Sequence, residues 1–166
     1  MNYDVVLVPQ STSMSCWAAS ISMILSWQQN ASFDPSQIAK NPGGPSYMPA
    51  FDNGLDPNDR YILDQNGFTV QTGQCYQPNA IYSLLDNQGP LWIAGLVLLP
   101  GTTSPSPHIR VLTGYDTNSL YVNDPWPVNA GRQYPTSYAI FFGEMEKLAS
   151  QELSQPNPVY LAYVNG

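Results

Sequence analysis

The sequence predicts a single α+β domain in which a helical N-terminal half packs on a C-terminal half built around an antiparallel sheet. Helical periodicity and capping residues dominate the first half of the chain, whereas continuous apolar runs bounded by turn residues dominate the second. Helices that precede strands, rather than alternating with them, are typical of this class. With 166 residues the chain has room for one such domain, and we place its halves at about 1–88 and 89–166.

The strongest predicted helix begins at Cys16 and continues to Trp27. This segment contains no glycine or proline, and its apolar residues surround the helix on nearly every side, so we expect it to be buried. Ahead of it, the apolar residues 5–8 predict a short strand or an extended segment. The polar residues 10–15 predict a loop, and two serines in that loop are candidate N-caps.

Three shorter helices are predicted where a proline follows an aspartate or a glutamine. They cover residues 34–40, 56–66 and 77–89, and Gly67 is expected to end the second of them. Residues 41–54 contain three prolines and three glycines, which predicts a long surface loop.

The second half of the chain is predicted to be mostly strand. A continuous apolar run over residues 91–99 predicts a buried strand. Residues 109–115 and 120–123 flank a four-residue connection that is typical of a hairpin. Residues 144–153 predict a late helix, and residues 159–164 predict a closing strand.

The composition excludes several kinds of partner. Only 10% of the residues are charged, and 5 Lys and Arg stand against 12 Asp and Glu, which gives a net charge of −7. Such a chain repels the phosphates of nucleic acids and of anionic membranes. The longest apolar run is too short to span a membrane, and one histidine with two cysteines cannot build a Cys/His zinc site. We therefore expect no nucleic-acid partner, membrane span, metal or cofactor.

The first candidate for chemistry is Cys16, at the start of the buried helix. Unpaired N–H groups and a partial positive charge at a helix N-terminus favour a thiolate, which is the nucleophilic form of cysteine. The backbone N–H of Cys16 is also placed to donate to an oxyanion. The alternative is that Cys16 is an ordinary small core residue.

Gln10 stands six residues ahead of Cys16, within a run that ends in Ser-Cys-Trp. This segment resembles the nucleophile segment of papain-like cysteine proteases. In that family the glutamine side chain supplies the second oxyanion donor, and the tryptophan packs behind the helix. The resemblance therefore implies these roles for Gln10 and Trp17.

A thiolate needs a histidine as its partner, and His108 is the only one in the chain. Alternating apolar residues follow it, a pattern similar to the histidine strand of papain-like proteases and of C39-like peptidases. The hairpin is expected to bring Asp124 back beside His108. Asp124 and the Trp126 that follows resemble the family's imidazole-orienting residue and the tryptophan that shields it. Asn123 is the alternative orienting residue.

The resemblance implies a papain-like fold and a cysteine peptidase with a Cys-His-Asp triad acting on a peptide or protein substrate. The distance from Cys16 to His108 is shorter than the roughly 130–150 residues of papain and cathepsins, which favours compact bacterial members. These are the C39-like peptidases and the C70 family typified by the effector AvrRpt2. Alternatives on the same fold are a transglutaminase, a deamidase, a cell-wall amidase or a non-catalytic peptide-binding module.

Two further expectations concern Cys75 and cellular location. Cys75 is either an ordinary structural cysteine or bridged to Cys16. The N-terminal residues show no secretory signal, which predicts a protein that is cytoplasmic as synthesised or is exported by a signal-independent route. If the protein is an exported effector or toxin, an inhibitor or immunity protein is an expected partner.

Overall fold

The computed structural model of the protein describes residues 1–56, 59–71, 76–151 and 159–164. The helices within these ranges are α1 (Cys16–Gln29), α2 (Pro35–Lys40), α3 (Met48–Asn53), α4 (Arg60–Gln65), α5 (Pro78–Gln88) and α6 (Tyr138–Gln151). The strands are β1 (Phe68–Gln71), β2 (Leu91–Val97), β3 (Ser106–Tyr115), β4 (Ser119–Asp124), β5 (Arg132–Ser137) and β6 (Leu161–Val164). In this part of the chain no helix combines the length and apolar character needed to cross a membrane.

The described strands form a six-stranded sheet in the order β1-β6-β2-β3-β4-β5, and each neighbouring pair is antiparallel. Helix α1 packs against β3, and helix α6 packs against β2. Helices α1 to α5 precede β2, the first strand of the central part of the sheet. The predicted α+β class, with helices ahead of an antiparallel sheet, is confirmed.

Helix α1 is almost entirely buried, as its composition predicts. Its residues from Cys16 to Leu25 are buried, and the indole Nε1 of Trp17 donates to the backbone oxygen of Ala50 at 3.0 Å. Ser15 stands at the N-cap position, but its side chain makes no capping hydrogen bond. Its hydroxyl instead accepts from the Thr12 N–H at 3.0 Å. The start of α1 therefore has no side-chain cap to compete for its N–H groups.

The prediction of a surface loop over residues 41–54 is wrong in its second half, where α3 forms. Pro49 lies in the first turn of α3, where the N–H that proline lacks would have no helical partner. Tyr47, just ahead of α3, is buried, and its N–H donates to Ala39 O at 2.7 Å. Phe51 is buried as well. A proline that resembles a loop residue in the sequence therefore starts a helix that is packed against α2.

Helix α4 is shorter than predicted. It begins at Arg60, and residues 57–58, where we expected its start, lie outside the described residues. Gly67 has φ +80°, and its N–H donates to Asp64 O at 3.1 Å, so the helix ends where predicted. The helices predicted over residues 34–40 and 77–89 are confirmed as α2 and α5.

Two strands of the structure were not predicted from the sequence, and two predicted elements differ from the structure. Strands β1 and β5 were not predicted, and β5 contains Pro135, which an edge strand tolerates. Residues 5–8, predicted as a short strand or an extended segment, belong to no strand, so the first of these alternatives is wrong. Helix α6 begins at Tyr138, well ahead of the predicted start at residue 144, and its predicted end at Leu153 lies outside the described residues.

The N-terminal residues pair with the end of β3 at a glycine. Asn2 forms an isolated β-bridge with Gly114, and the Tyr115 N–H donates to Met1 O at 2.8 Å. A Cβ atom at Gly114 would lie 2.3 Å from Met1 O and 2.5 Å from the Asn2 Cα, which no real Cβ tolerates. The close approach of two backbones therefore requires glycine at this position.

We predict that Gly114→Ala lowers the free energy of unfolding by about 1–3 kcal/mol, because the N-terminal segment must move off the sheet. The matched control is Gly143→Ala in α6, where a Cβ meets no atom within 4 Å. That substitution is expected to raise the free energy of unfolding by up to about 1 kcal/mol, since alanine is the better helix former. Urea denaturation measures both, and equal stability of the two variants would contradict the prediction.

Candidate active site

Cys16 is the first residue of α1 and opens onto a cavity. It is a free thiol and is 9% exposed. The cavity has a volume of about 310 Å³, and both Cys16 and His108 line it. Its other walls are largely apolar and include Leu63, Trp92 and Leu99. The thiol is therefore a wall of a cavity rather than a core residue enclosed by hydrocarbon.

His108 lies on β3 and connects Cys16 to Asp124. The strand was predicted to start at residue 109 but begins at Ser106, so His108 lies inside it and pairs with Gly95 of β2. The imidazole is 3% exposed, and its Nε2 lies 2.6 Å from Asp124 Oδ1. The thiol of Cys16 also interacts with the imidazole and raises its pKa. Because Nε2 is engaged by Asp124, Nδ1 is the nitrogen left for the thiol.

The environment of His108 favours its protonated form. Burial alone would lower the pKa of the imidazole, but the hydrogen bonds to Asp124 and Cys16 and the charges of those groups outweigh burial and raise the pKa to about 9. The imidazole therefore holds a proton at neutral pH. A cation in this position is the partner that a thiolate requires.

Asp124 ends β4 and is fully buried, yet both of its oxygens have donors. Oδ1 accepts from His108 and from the Trp126 N–H, the latter at 2.9 Å. Oδ2 accepts from Arg132 Nε at 3.1 Å, from Arg132 Nη2 at 2.9 Å and from Tyr134 Oη at 3.3 Å. Burial raises the pKa of Asp124, but these hydrogen bonds and the charge of His108 lower it overall. Asp124 is an ionised carboxylate in a buried position.

Arg132 and Tyr134 were not predicted as site residues. Both lie on β5, which the sequence pattern did not predict, and the strand pairing sets Arg132 directly opposite Asp124. The available signal was their spacing, because residues two apart on a strand face the same side of the sheet.

The structure engages Asn123, the alternative orienting residue, elsewhere. Its Nδ2 donates to Val5 O at 2.8 Å, and its Oδ1 accepts from Gln133 Nε2 at 2.9 Å. Consecutive strand residues point to opposite faces, so Asn123 and Asp124 cannot both face His108. Asp124 is the residue that the structure brings to the imidazole.

The structure buries Gln10 completely and ties it to the loop ahead of α1. Its side-chain Nε2 donates to Thr12 O at 2.7 Å, which uses one of the two amide hydrogens. Its backbone N–H donates to Pro125 O, and its backbone oxygen accepts from the Asn129 N–H. The segment ahead of Cys16 is therefore anchored to the residues that follow Asp124.

The two predicted supporting tryptophans hold different parts of the site. Trp17 is fully buried behind α1 and bonds to Ala50 of α3. Trp126 donates from Nε1 to Pro100 O at 3.2 Å, which ties the residues after β4 to the connection between β2 and β3. Cys75 lies outside the described residues.

The described residues include no group of three His, Cys, Asp or Glu side chains that could hold a metal ion. The site therefore consists of an imidazole that is hydrogen-bonded to a carboxylate and interacts with a thiol, next to a cavity. This arrangement can make a thiolate, hold a proton beside it and pass that proton to a group in the cavity.

Comparison with known proteins agrees with this geometry. A family model described as papain-like cysteine protease AvrRpt2 matches residues 1–146. No curated protein matches the sequence. A protein described as a C39-like peptidase from Bacillus anthracis has a similar structure, with a TM-score of 0.63 and 16% identity, and the match covers 99% of this chain and 96% of that chain.

Two further solved structures share the fold. A double glycine motif protease from an AMS/PCAT transporter, in complex with the leader peptide, has a TM-score of 0.52 and 18% identity over 98% of this chain and 91% of that chain. The peptidase domain of Streptococcus ComA, a bi-functional ABC transporter, has a TM-score of 0.52 and 16% identity over 94% of this chain and 93% of that chain. The predicted papain-like fold is confirmed.

We predict that His108 makes stability depend on pH when no thiol titrates beside it. In Cys16→Ala the contribution of the thiol to the pKa of His108 is lost, but the 2.6 Å hydrogen bond to Asp124 and the charge of Asp124 remain and are expected to keep that pKa above 6.5. The resulting stability is fully present below pH 6.5 and is lost as the pH rises through the folded-state pKa of the variant. The difference in unfolding free energy between Cys16→Ala and the double variant Cys16→Ala/His108→Gln should therefore fall by about 1 kcal/mol per pH unit above pH 6.5. Urea denaturation between pH 6 and pH 9.5 tests this, and parallel curves would contradict it.

Proposed function

Because the chain belongs to the papain-like cysteine proteases of the AvrRpt2 family, we propose that it hydrolyses peptide bonds with Cys16, His108 and Asp124 as its triad. The observation that carries the proposal is the buried hydrogen bond between Asp124 and His108, together with the interaction of the same imidazole with the Cys16 thiol on a cavity wall. The proposal needs no metal or cofactor, since these three side chains supply both the nucleophile and the proton.

The first half of the proposed reaction forms a thioester. The Cys16 thiolate attacks the carbonyl carbon, a C–S bond forms, and the electron pair of the carbonyl double bond moves to oxygen. When that pair returns, the C–N bond breaks, and the nitrogen takes its electron pair and the proton of His108. The amine product leaves, and the imidazole is neutral. Asp124 fixes the orientation of the imidazole ring, so that the same ring nitrogen faces both the sulfur and the leaving group.

The second half hydrolyses the thioester. Neutral His108 takes a proton from water while the water oxygen attacks the thioester carbon. The resulting intermediate collapses with cleavage of the C–S bond, and sulfur leaves as the thiolate. The acid product departs, and Cys16 and His108 are again a thiolate and an imidazolium.

The oxyanion that forms in both halves needs donors beside the sulfur. The Cys16 N–H lies at the start of a 14-residue helix whose N-cap side chain makes no capping bond. Gln10 Nε2 has a second amide hydrogen beyond the one given to Thr12 O. We assign these two donors to the oxyanion hole.

The proposed substrate is a peptide or an exposed segment of a protein. One structure with this fold, the double glycine motif protease, was solved in complex with a leader peptide, which supports a peptide as the occupant of the cavity here. The predicted role as an exported effector or toxin, with an inhibitor or immunity protein as partner, rests on the resemblance to the AvrRpt2 family. Transglutaminase, deamidase and cell-wall amidase activities use the same triad and become outcomes of the test below.

We predict that Cys16→Ala abolishes turnover and leaves the protein folded, because alanine removes only the nucleophile. The matched control is Cys75→Ala, which removes the other cysteine in the chain and should keep most of the activity. The assay is cleavage of a peptide library read by mass spectrometry, with circular dichroism as the check on folding. Full activity in Cys16→Ala would end the proposal.

The same spectra separate the related activities. New termini that depend on Cys16 identify a peptidase, as the proposal expects. A glutamine that gains an amine, or becomes glutamate without chain cleavage, identifies a transglutaminase or a deamidase and contradicts hydrolysis of peptide bonds. Fragments released from peptidoglycan, without cleavage of linear peptides, identify a cell-wall amidase.

We predict that Gln10→Ala lowers kcat by about 10²–10³-fold and changes KM little, because its donor acts on the oxyanion of the intermediate. Thermal unfolding serves as the control for the lost bond to Thr12 O. Steady-state kinetics on one cleaved peptide measure the effect. An unchanged kcat in a folded variant would remove Gln10 from the oxyanion hole.

A further inference from the structure

The carboxylate of Asp124 divides its two oxygens between different partners. Oδ1 accepts from His108, and Oδ2 accepts from Arg132 and Tyr134. We propose that Arg132 and Tyr134 are positioning residues that limit how strongly Asp124 binds the imidazole proton, so that His108 can still release that proton to the leaving group. This inference rests on the function proposed above.

Arg132 supplies both geometry and charge. Two of its N–H groups converge on one oxygen, Asp124 Oδ2, at 2.9 and 3.1 Å, and charge-assisted bonds of this kind are the strongest hydrogen bonds in proteins. The guanidinium also lies over the ring of Tyr134, 4.4 Å from its centroid. Arg132 is 35% exposed, whereas its partner Asp124 is fully buried, so solvent screens only one side of the pair.

The direction of the Tyr134 hydroxyl is fixed by a buried pair behind it. Arg110 Nη1 donates to Tyr134 Oη at 3.1 Å, and because a guanidinium cannot accept, the hydroxyl hydrogen is left to donate to Asp124. Arg110 is 2% exposed and is paired with Glu144 of α6 at 2.7 Å. Gly95 makes room for this pair, since a Cβ there would lie 3.2 Å from Arg110 Nη2. The pair thus orients a hydroxyl towards the triad.

These contacts act on His108 through the carboxylate. Donors on Oδ2 draw negative charge away from Oδ1, and the nearby cation of Arg132 opposes a second cation on the imidazole. Both effects lower the pKa of His108 below the value that Asp124 alone would impose. A general acid is most effective when its pKa lies near the working pH, so an imidazolium held too tightly would protonate the leaving group poorly.

The ionisable groups around His108 come from every element packed against it. They are Cys16 on α1, Asp124 on β4, Arg132 and Tyr134 on β5, Arg110 and Glu144 behind Tyr134, and Asp56, Asp59 and Arg60, which line the same cavity. Arg132 and Tyr134 are the two that bond to Oδ2. Substitution of either residue removes hydrogen bonds to Asp124 Oδ2 and leaves the residues that line the cavity unchanged.

The test is an NMR titration of the His108 Hε1 resonance, which is unambiguous because the chain has one histidine. Tyr134→Phe is expected to raise the midpoint by about half a pH unit, and Arg132→Gln by more, since it removes a charge as well as two donors. The alkaline limb of the pH profile of kcat/KM should move up with the midpoint. If Arg132 and Tyr134 only stabilised the structure, their substitution would loosen the His108–Asp124 contact. The midpoint would then fall towards 6.5, which is the opposite result.

Two matched control variants lose the same kinds of group, a tyrosine hydroxyl and a positive charge, at positions that do not bond to Asp124. Tyr121→Phe removes a hydroxyl that donates to Asp116 on the surface, and Lys40→Gln removes one positive charge from the last turn of α2. Neither should move the midpoint. An unchanged or lower midpoint in Tyr134→Phe and Arg132→Gln would overturn the inference. The titration needs no turnover, so it stands or falls independently of the Cys16→Ala assay.

The contribution of Arg110 to the pKa of His108 is tested by replacing both members of its ion pair, in the double variant Arg110→Met/Glu144→Gln. This double substitution leaves the net charge unchanged. The pair variant should raise the midpoint in the wild-type background and add nothing in Tyr134→Phe, because Arg110 acts through the Tyr134 hydroxyl. If the pair variant raises the midpoint as much in the Tyr134→Phe background as in the wild type, Arg110 does not act through the Tyr134 hydroxyl. If the pair variant does not fold, Arg110→Lys, which keeps the charge and loses the forked donors, takes its place in the same cycle.

Discussion

The hydrogen bond between His108 Nε2 and Asp124 Oδ1, 2.6 Å long, lies where both side chains are almost fully buried. A buried carboxylate and a buried imidazolium are each costly alone, and they are tolerated because they neutralise one another and because every oxygen of Asp124 has a donor. The position of the imidazole, its charge and its contact with Cys16 all depend on this one pair. The rest of the fold serves to hold it.

Each neighbouring element contributes one constraint to that pair. Strand pairing places Asp124 at the end of β4 beside β3 and sets Arg132 opposite it on β5. Helix α1 packs against β3 and brings the thiol of Cys16 to the imidazole from its own N-terminus. Gln10 is hydrogen-bonded to the residues after Asp124, which holds the loop before Cys16 beside the end of β4. The site lies where a helix start meets the ends of two strands.

The sequence predicted those parts of the structure that depend on strong local patterns. The apolar helix from Cys16 and the hairpin that returns Asp124 to His108 are examples, and both position residues of the proposed triad. What it could not predict depends on tertiary pairing. Strand β5 is polar and contains Pro135, so only its register against β4 shows that Arg132 and Tyr134 reach the carboxylate. Helix α3 was likewise hidden, because Pro49 resembles a loop residue until its place in a first turn is known.

The claim that the buried imidazole of His108 activates the thiol of Cys16 is tested most directly by alkylation with iodoacetamide at pH 6, in a Cys75→Ala background. The account predicts that Cys16 reacts on the order of tenfold or more faster than an ordinary thiol at this pH, because a positively charged imidazole beside a thiol favours its nucleophilic form. It also predicts that His108→Gln removes the advantage. A rate no greater than that of a free thiol, unchanged by His108→Gln, would contradict the account.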